Sequence, residues 1–377
     1  MFDIEDNIFM LAGPVKIHRR VLDAMSRPSV AHRGKEFSAI NAENRELLKY
    51  LFQSDNDVAI ISGSGTAGLE TAVVNLLKKG DKTLIFHNGK FGERLFDLSK
   101  LYANAIEVTS PWGQPPDLDA IAAELETGEY KAVGICHNET STGMTNPAEE
   151  IGKLAKKNDT LFILDGITSV GGLDVKPDKL NADIVIFGSQ KCIAAPAGLA
   201  CLSVSEQAKE QLYDDTSYYL NLKKHLTKLQ DGDQTPYTPA IPLFLALREA
   251  LLMIKEEGLE NRLAKIEKLA EATRSAVNAL GLELFPHIDY ASNTVTAINY
   301  PEGINDKEFR DWLRDEHNVI VAGAQAHIKG KVFRIGTMGL CSFTDLAATF
   351  AAVEASLKKF EFDFEIGAGV RAIVEKM

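Results

Sequence analysis

Short apolar runs alternate with longer segments of helical spacing through the first two-thirds of the chain. Val58 to Ser62, Thr83 to Phe86, Ile106 to Thr109, Ala132 to Cys136, Leu161 to Leu164, Ile184 to Phe187 and Leu199 to Val204 read as strands. Helices are predicted from about Ala67 to Lys79 and, after the second strand, to about Tyr102. Such alternation predicts βαβ units and a mostly parallel central sheet flanked by helices, an α/β fold. The character shifts near residue 240. One long helix is predicted over roughly Leu243 to Leu280, closed by Gly281. Strand candidates Asn293 to Asn299, Val319 to Ala322 and Val332 to Ile335 follow, separated by helices. The expected organisation is an N-terminal arm over residues 1–15, a large domain over 16–255 and a smaller C-terminal α+β domain over 256–377.

Bulk properties narrow the function classes. A chain of 377 residues can bury a sizeable core and has room for two domains. A net charge of −12 without any Lys/Arg block argues against nucleic acid or an anionic membrane as partner. An anionic ligand must therefore be held by a few placed cations and backbone amides. Cys136, Cys192, Cys201 and Cys341 form neither a C-x-x-C pair nor a zinc spacing, so no metal is expected and a reduced cytoplasmic setting fits. The acidic start, Met1 to Asp6, lacks the features of a signal peptide, and no apolar run approaches the ~18 residues of a membrane span.

The chemistry gathers at strand ends. Ile184 to Phe187 leads into Gly188-Ser189-Gln190-Lys191, and Leu161 to Leu164 leads into Asp165-Gly166. Consecutive strands thus deliver an amine and a carboxylate to the carboxyl edge of one sheet, where open α/β sheets bind ligands. Pyridoxal phosphate needs both, a lysine for covalent attachment as a Schiff base and an acid for its pyridine nitrogen. Upstream, Gly63-Ser64-Gly65-Thr66-Ala67-Gly68 lies between a strand and a helix and can cradle a phosphate with backbone amides and hydroxyls. The same letters satisfy a dinucleotide-binding G-x-G-x-x-G, but the next strand ends in Phe86-His87-Asn88 without the acid that would hold a ribose.

Three further segments are more ambiguous. Asn88 to Arg94 places Phe91 between glycines at a sheet edge, where it either stacks on a planar ring or starts a helix as a core residue; Arg94 reads as a structural ion-pair partner. His137 to Gly143 offers hydroxyls for a ligand or for helix capping. Arg334, in Lys331 to Gly336, either grips a carboxylate bidentately or forms a surface ion pair.

Taken together, these segments resemble the class V (fold type I) pyridoxal-phosphate-dependent aminotransferases, most closely the alanine–glyoxylate and serine–glyoxylate (serine–pyruvate) branch. The resemblance runs from Ala12-Gly13-Pro14 to Arg334-Ile335-Gly336. It implies that Lys191 carries the cofactor and Asp165 faces its ring nitrogen. Ser64, Gly65, Thr66 and Gln190 would hold the phosphate. Phe91 and Ile167 would pack on opposite ring faces, with Thr140 near the ring hydroxyl. Arg334 would bind the substrate carboxylate, with backbone near Gly13 closing over it. Thr238 would reach the neighbouring subunit's phosphate, which implies a homodimer with shared active sites. The implied reaction is ping-pong transfer of an amino group from alanine or serine to glyoxylate or pyruvate. Two rivals stay open: a broader aspartate or phosphoserine activity, for which His32 to Lys35 offers a second anchor, and a lyase on the same fold. A cysteine desulfurase is disfavoured, because the loop from Ala322 to Lys331 contains no cysteine. The chain departs from its relatives at Gly323 to His327, which carries fewer glycines, and at Thr337, where many relatives have histidine.

Overall fold

The computed structural model of the chain describes residues 7–377. Its strands, in chain order, are β1 (Ile8–Met10), β2 (Asp57–Ser62), β3 (Lys82–His87), β4 (Asn104–Thr109), β5 (Tyr130–Cys136), β6 (Asn138–Glu139), β7 (Met144–Thr145), β8 (Leu161–Asp165), β9 (Ile184–Gly188), β10 (Leu199–Val204), β11 (Val295–Asn299), β12 (Val319–Gly323) and β13 (Val332–Gly336). The larger sheet has the order β2-β10-β9-β8-β5-β3-β4. The pairs from β4 through β3, β5 and β8 to β9 are parallel, and only β10 runs against both of its neighbours.

Burial explains why the strands read as continuous apolar runs. Leu84, Phe86, Val133, Ile135, Phe162, Leu164, Val185 and Phe187 pack on one face of this sheet. The residues between them, Ile85, Ala132, Ile163, Ile184 and Ile186, pack on the other. Side chains alternate across a strand, so two covered faces leave no position for a polar residue until the strand ends. The mostly parallel sheet predicted from the sequence is therefore present.

A second sheet, β1-β12-β13-β11, has its own core of Ile298, Phe309, Leu313, Val321, Phe333, Ile335, Phe350 and Val353. Its edge strand β1 comes from the segment expected to be an arm, and pairs in parallel with β12. The first six residues of that segment lie outside the described part of the chain. The expected long helix is two: Ile241–Glu257 and Leu259–Ala279. Gly258 parts them at φ +81°, a conformation open to glycine and costly for other residues. A helix over Lys35–Phe52, to which the sequence reading assigned no element, buries Phe37, Leu47, Leu48, Leu51 and Phe52. No helix among the described residues is long and apolar enough to cross a membrane.

After β1 the chain crosses the end of β13 and reaches the loop that follows β9. The Val15 amide donates to the Gln190 carbonyl at 3.1 Å. Gly336, the last residue of β13, lies so close beneath this crossing that an added Cβ would sit 2.2 Å from the Leu11 carbonyl oxygen. Gly336→Ala is therefore expected to cost ~1–3 kcal/mol, the usual range for overpacking. A urea-unfolding midpoint equal to that of the wild type would contradict this packing.

Candidate active site

Register puts the functional strand ends side by side. In the larger sheet Asp165 pairs with Cys136 of β5 on one flank and with Ile186 of β9 on the other. β9 ends two residues later at Gly188, and the turn that follows carries Gln190 and Lys191. Around this edge lies a cavity of about 120 Å³ lined by Ser64, Gly65, Thr66, Phe91, Thr140, Asp165, Ile167, Gln190 and Lys191, together with Arg94, Cys136, Asn138 and Thr168. Nine of the ten residues expected around the cofactor thus share one cavity, Thr238 being the exception.

One end of the cavity suits an anion. The helix Gly65–Leu76 begins there, and its first amides lack intrahelical acceptors. The Ser64 side chain makes no capping hydrogen bond and so leaves that terminus open. Gly65 lies close against Ile167: a Cβ there would come within 2.8 Å of Ile167 Cδ1, so a larger residue would have to displace that side chain. Gln190 lines the same end; its side-chain oxygen, buried without a hydrogen-bond partner among the described residues, calls for a donor, so only its amide nitrogen could serve an anion.

The other end holds the titrating pair. Asp165 is buried, and desolvation pushes its pKa up to about 7 even though its carboxylate accepts from the Ile167 amide at 3.0 Å. Burial pulls Lys191 the opposite way, down to about 8, with Arg334 adding to the fall. Its ammonium donates to the Ala12 carbonyl at 3.0 Å. Gly13 passes so near that a Cβ would lie 2.3 Å from Lys191 Cδ. An amine held close to neutrality beside a buried carboxyl is equipped for nucleophilic attack and for proton transfer.

Arg334 is buried and turned toward backbone. Nη1 donates to the Thr140 carbonyl at 2.8 Å, while Nε, at 3.1 Å, and Nη2 donate to the Gly323 carbonyl. Thr140 therefore both lines the cavity and, through its carbonyl, orients Arg334. Thr238 does not line this cavity; it is exposed on the segment that carries Tyr237. Arg33 donates to the carbonyls of Thr235 and Pro236, on that same segment, and is not part of the cavity wall.

The expected ion pair of Arg94 is not found among the described residues. Instead Arg94 lines the cavity, 3.4 Å from the Thr66 hydroxyl and 5.0 Å from the Phe91 ring centroid. Helical spacing from Phe91 makes this possible, since positions three apart share a face. Glu139 is the capping residue of the His137 to Gly143 segment. Its buried carboxylate accepts from the amides of Phe91 at 2.9 Å and Gly92 at 2.8 Å, at the start of the helix Lys90–Tyr102. Arg262 was not foreseen either. It is buried and donates to the carbonyls of Cys192 and, at 3.1 Å, Gly171, tying the turn after Lys191 to the turn after Asp165. A single arginine on a long helix carries no sequence signal for that task.

The chain matches the family model described as aminotransferase class-V over residues 12–364. An uncharacterized aminotransferase of Methanocaldococcus jannaschii is 43% identical over 366 residues, covering 96% of this chain and 95% of that protein. A serine–glyoxylate aminotransferase of Arabidopsis thaliana is 35% identical, covering 96% of this chain and 92% of its own. Among solved structures, the ureidoglycine–glyoxylate aminotransferase of Bacillus subtilis superposes with a TM-score of 0.93 at 31% identity, covering 98% of this chain and 97% of that one. With the fold and nearly the whole length matched, this chain belongs to the class V aminotransferases, fold type I enzymes of a pyridoxal-phosphate-dependent family, and is a transaminase.

Proposed function

We propose that this transaminase works with pyridoxal phosphate in the cavity around Lys191 and moves an amino group from a small amino acid, alanine or serine, to glyoxylate or pyruvate. The observation that carries the reading is Lys191 and Asp165 buried in one cavity, with pKa values of about 8 and about 7. The donor set fits the cofactor. The open terminus at Ser64, Gly65 and Thr66 would take the phosphate, with the Gln190 side-chain amide donating to it through its nitrogen. Phe91 and Ile167 would flank the ring, with Thr140 at its edge. Bound there, the cofactor would supply an electron sink for the substrate's α-carbon.

The chain's own residues would do the rest. Asp165 would stay ionised against the ring nitrogen, because an adjacent cation offsets the cost of its burial. Lys191 would hold the cofactor until substrate arrives and then carry the α-proton, which its lowered pKa favours. Arg334, fixed by two carbonyls, would spend its remaining N–H groups on the substrate carboxylate. Ala12 and Gly13 would close over the lysine and help exclude water.

The small-donor reading is supported by the relatives, whose names specify serine, alanine and ureidoglycine as partners of glyoxylate. A cytoplasmic homodimer is part of the same reading. Exposed Thr238 adjoins a stack of Tyr219 on Tyr237 at 5.3 Å and Tyr218, which is 79% exposed. A second copy covering these rings would bury them and bring Thr238 to the partner's phosphate end.

Two measurements test the reading. Lys191→Ala is expected to lower turnover by roughly 10²–10⁴-fold, the usual worth of a positioned acid–base group, while single-turnover amination by alanine or serine outpaces that by aspartate in the wild type. Retained turnover, or aspartate as the best donor, would contradict the assignment. The second concerns Asp165 without cofactor. Its folded pKa of about 7 exceeds an unfolded value near 4, so the folded state binds the extra proton across that window. Stability of the cofactor-free protein should therefore fall as pH rises from about 4 to about 7, and Asp165→Asn should flatten that slope. An identical slope in the variant would show that Asp165 is not the buried acid.

A further inference from the structure

Arg334 owes its orientation largely to one peptide. Two of its nitrogens, Nε and Nη2, converge on the Gly323 carbonyl, and a guanidinium has five N–H donors in a rigid plane. Wherever that carbonyl points, the plane of Arg334 follows. Gly323 is the last residue of β12, opposite Phe333, where the strand gives way to the loop that leads to β13. Strand pairing alone holds it on one side only.

The other side is covered by Arg310, from the helix Asp306–His317. Its guanidinium lies flat against the Gly323 Cα: a Cβ added there would stand 3.0 Å from Cζ, Nε and Nη2 alike. The plane of Arg310 is itself fixed, since Nε and Nη2 reach the two carboxylate oxygens of Asp306 at 2.8 and 2.7 Å. Asp306 also accepts from the Tyr300 hydroxyl at 3.0 Å, and the Tyr300 ring is anchored 5.0 Å from that of Phe333 and 5.4 Å from that of Phe309. An i,i+4 ion pair on a helix is by itself a minor contact. Here it ends on the peptide that accepts from two of the three nitrogens of the buried arginine. Asp306 pairs with Arg310 and is not hydrogen-bonded to Arg334, whose pKa burial depresses, with the Glu139 carboxylate opposing that fall and the Arg310 charge adding to it.

We infer that Arg310 is a positioning residue for substrate carboxylates: by packing on Gly323 it holds the carbonyl that aims Arg334, and so sets affinity for amino donor and oxo-acid acceptor together. The inference rests on the reading that Arg334 grips the substrate carboxylate. Both substrates of a transaminase carry that group, so a defect in its aim must appear in both half-reactions.

The test compares kcat and KM for donor and acceptor in the cofactor-loaded wild type, Arg310→Ala, Arg310→Lys and Arg334→Ala. Arg310→Ala is expected to raise both KM values by about tenfold, equivalent to about 1.4 kcal/mol of binding, while kcat and the visible spectrum stay near those of the wild type. Arg310→Lys keeps a charge for Asp306 but lacks the flat face, and should show the same paired rise. Wild-type KM values in Arg310→Lys would overturn the inference, because charge would then suffice. The same holds if Arg334→Ala raises both KM values and Arg310→Ala neither. If Arg334→Ala itself leaves both KM values unchanged, the carboxylate assignment of Arg334 fails first. Should Arg310→Ala not fold, Arg310→Lys decides the question alone.

Discussion

Burying a carboxyl and an amine together at the end of a sheet covered on both faces is costly, and the architecture of this protein is arranged around that cost. An isolated ionised group in such a place would neutralise itself. Asp165 responds by rising to about 7 and Lys191 by falling to about 8. The pair is therefore held close to the point where a proton can leave either group. That condition follows from the fold, because the same packing that makes Leu161–Leu164 of β8 and Ile184–Phe187 of β9 apolar forces their first polar residues to appear at or beyond the carboxyl ends.

The loops that carry the pair are held from several directions. Arg262 links the turn after Asp165 to the turn after Lys191. The N-terminal segment lays Ala12 against the lysine while β1 joins the sheet of the C-terminal part. Asn138 donates to Thr168 at 2.9 Å and to Thr294 at 2.8 Å, connecting the cavity wall to the segment before β11. Residues far apart in sequence thus converge on one site, and each holds it through hydrogen bonds to backbone carbonyls or between side chains. Such contacts pre-organise a site before any ligand arrives.

Much of this was legible in the sequence for a physical reason. Continuous apolar runs signal strands buried on both faces, and the polar residues that follow each run lie at the sheet's carboxyl edge; Asp165 and Lys191 are found in this way. Glycines between a strand and a helix signal a close approach, and the contact of Gly65 with Ile167 realises it. Contacts between distant segments were not legible. Nothing local in Ile8–Met10 says that it pairs with Val319–Val321, and nothing local in Glu139 says that its carboxylate caps a helix begun at Lys90. The break at Gly258 was hidden because apolar spacing continues across it. Arg94 reads in the sequence as a structural ion-pair partner, whereas the helix turns it onto the cavity.

The most direct test of the central claim is chemical trapping. The purified protein, supplied with pyridoxal phosphate, is reduced with borohydride, digested and mapped by mass spectrometry for the lysine that bears the reduced cofactor. The account predicts modification of Lys191, sharply diminished when Asp165 is replaced by asparagine. Modification of another lysine, or none at all, would contradict it.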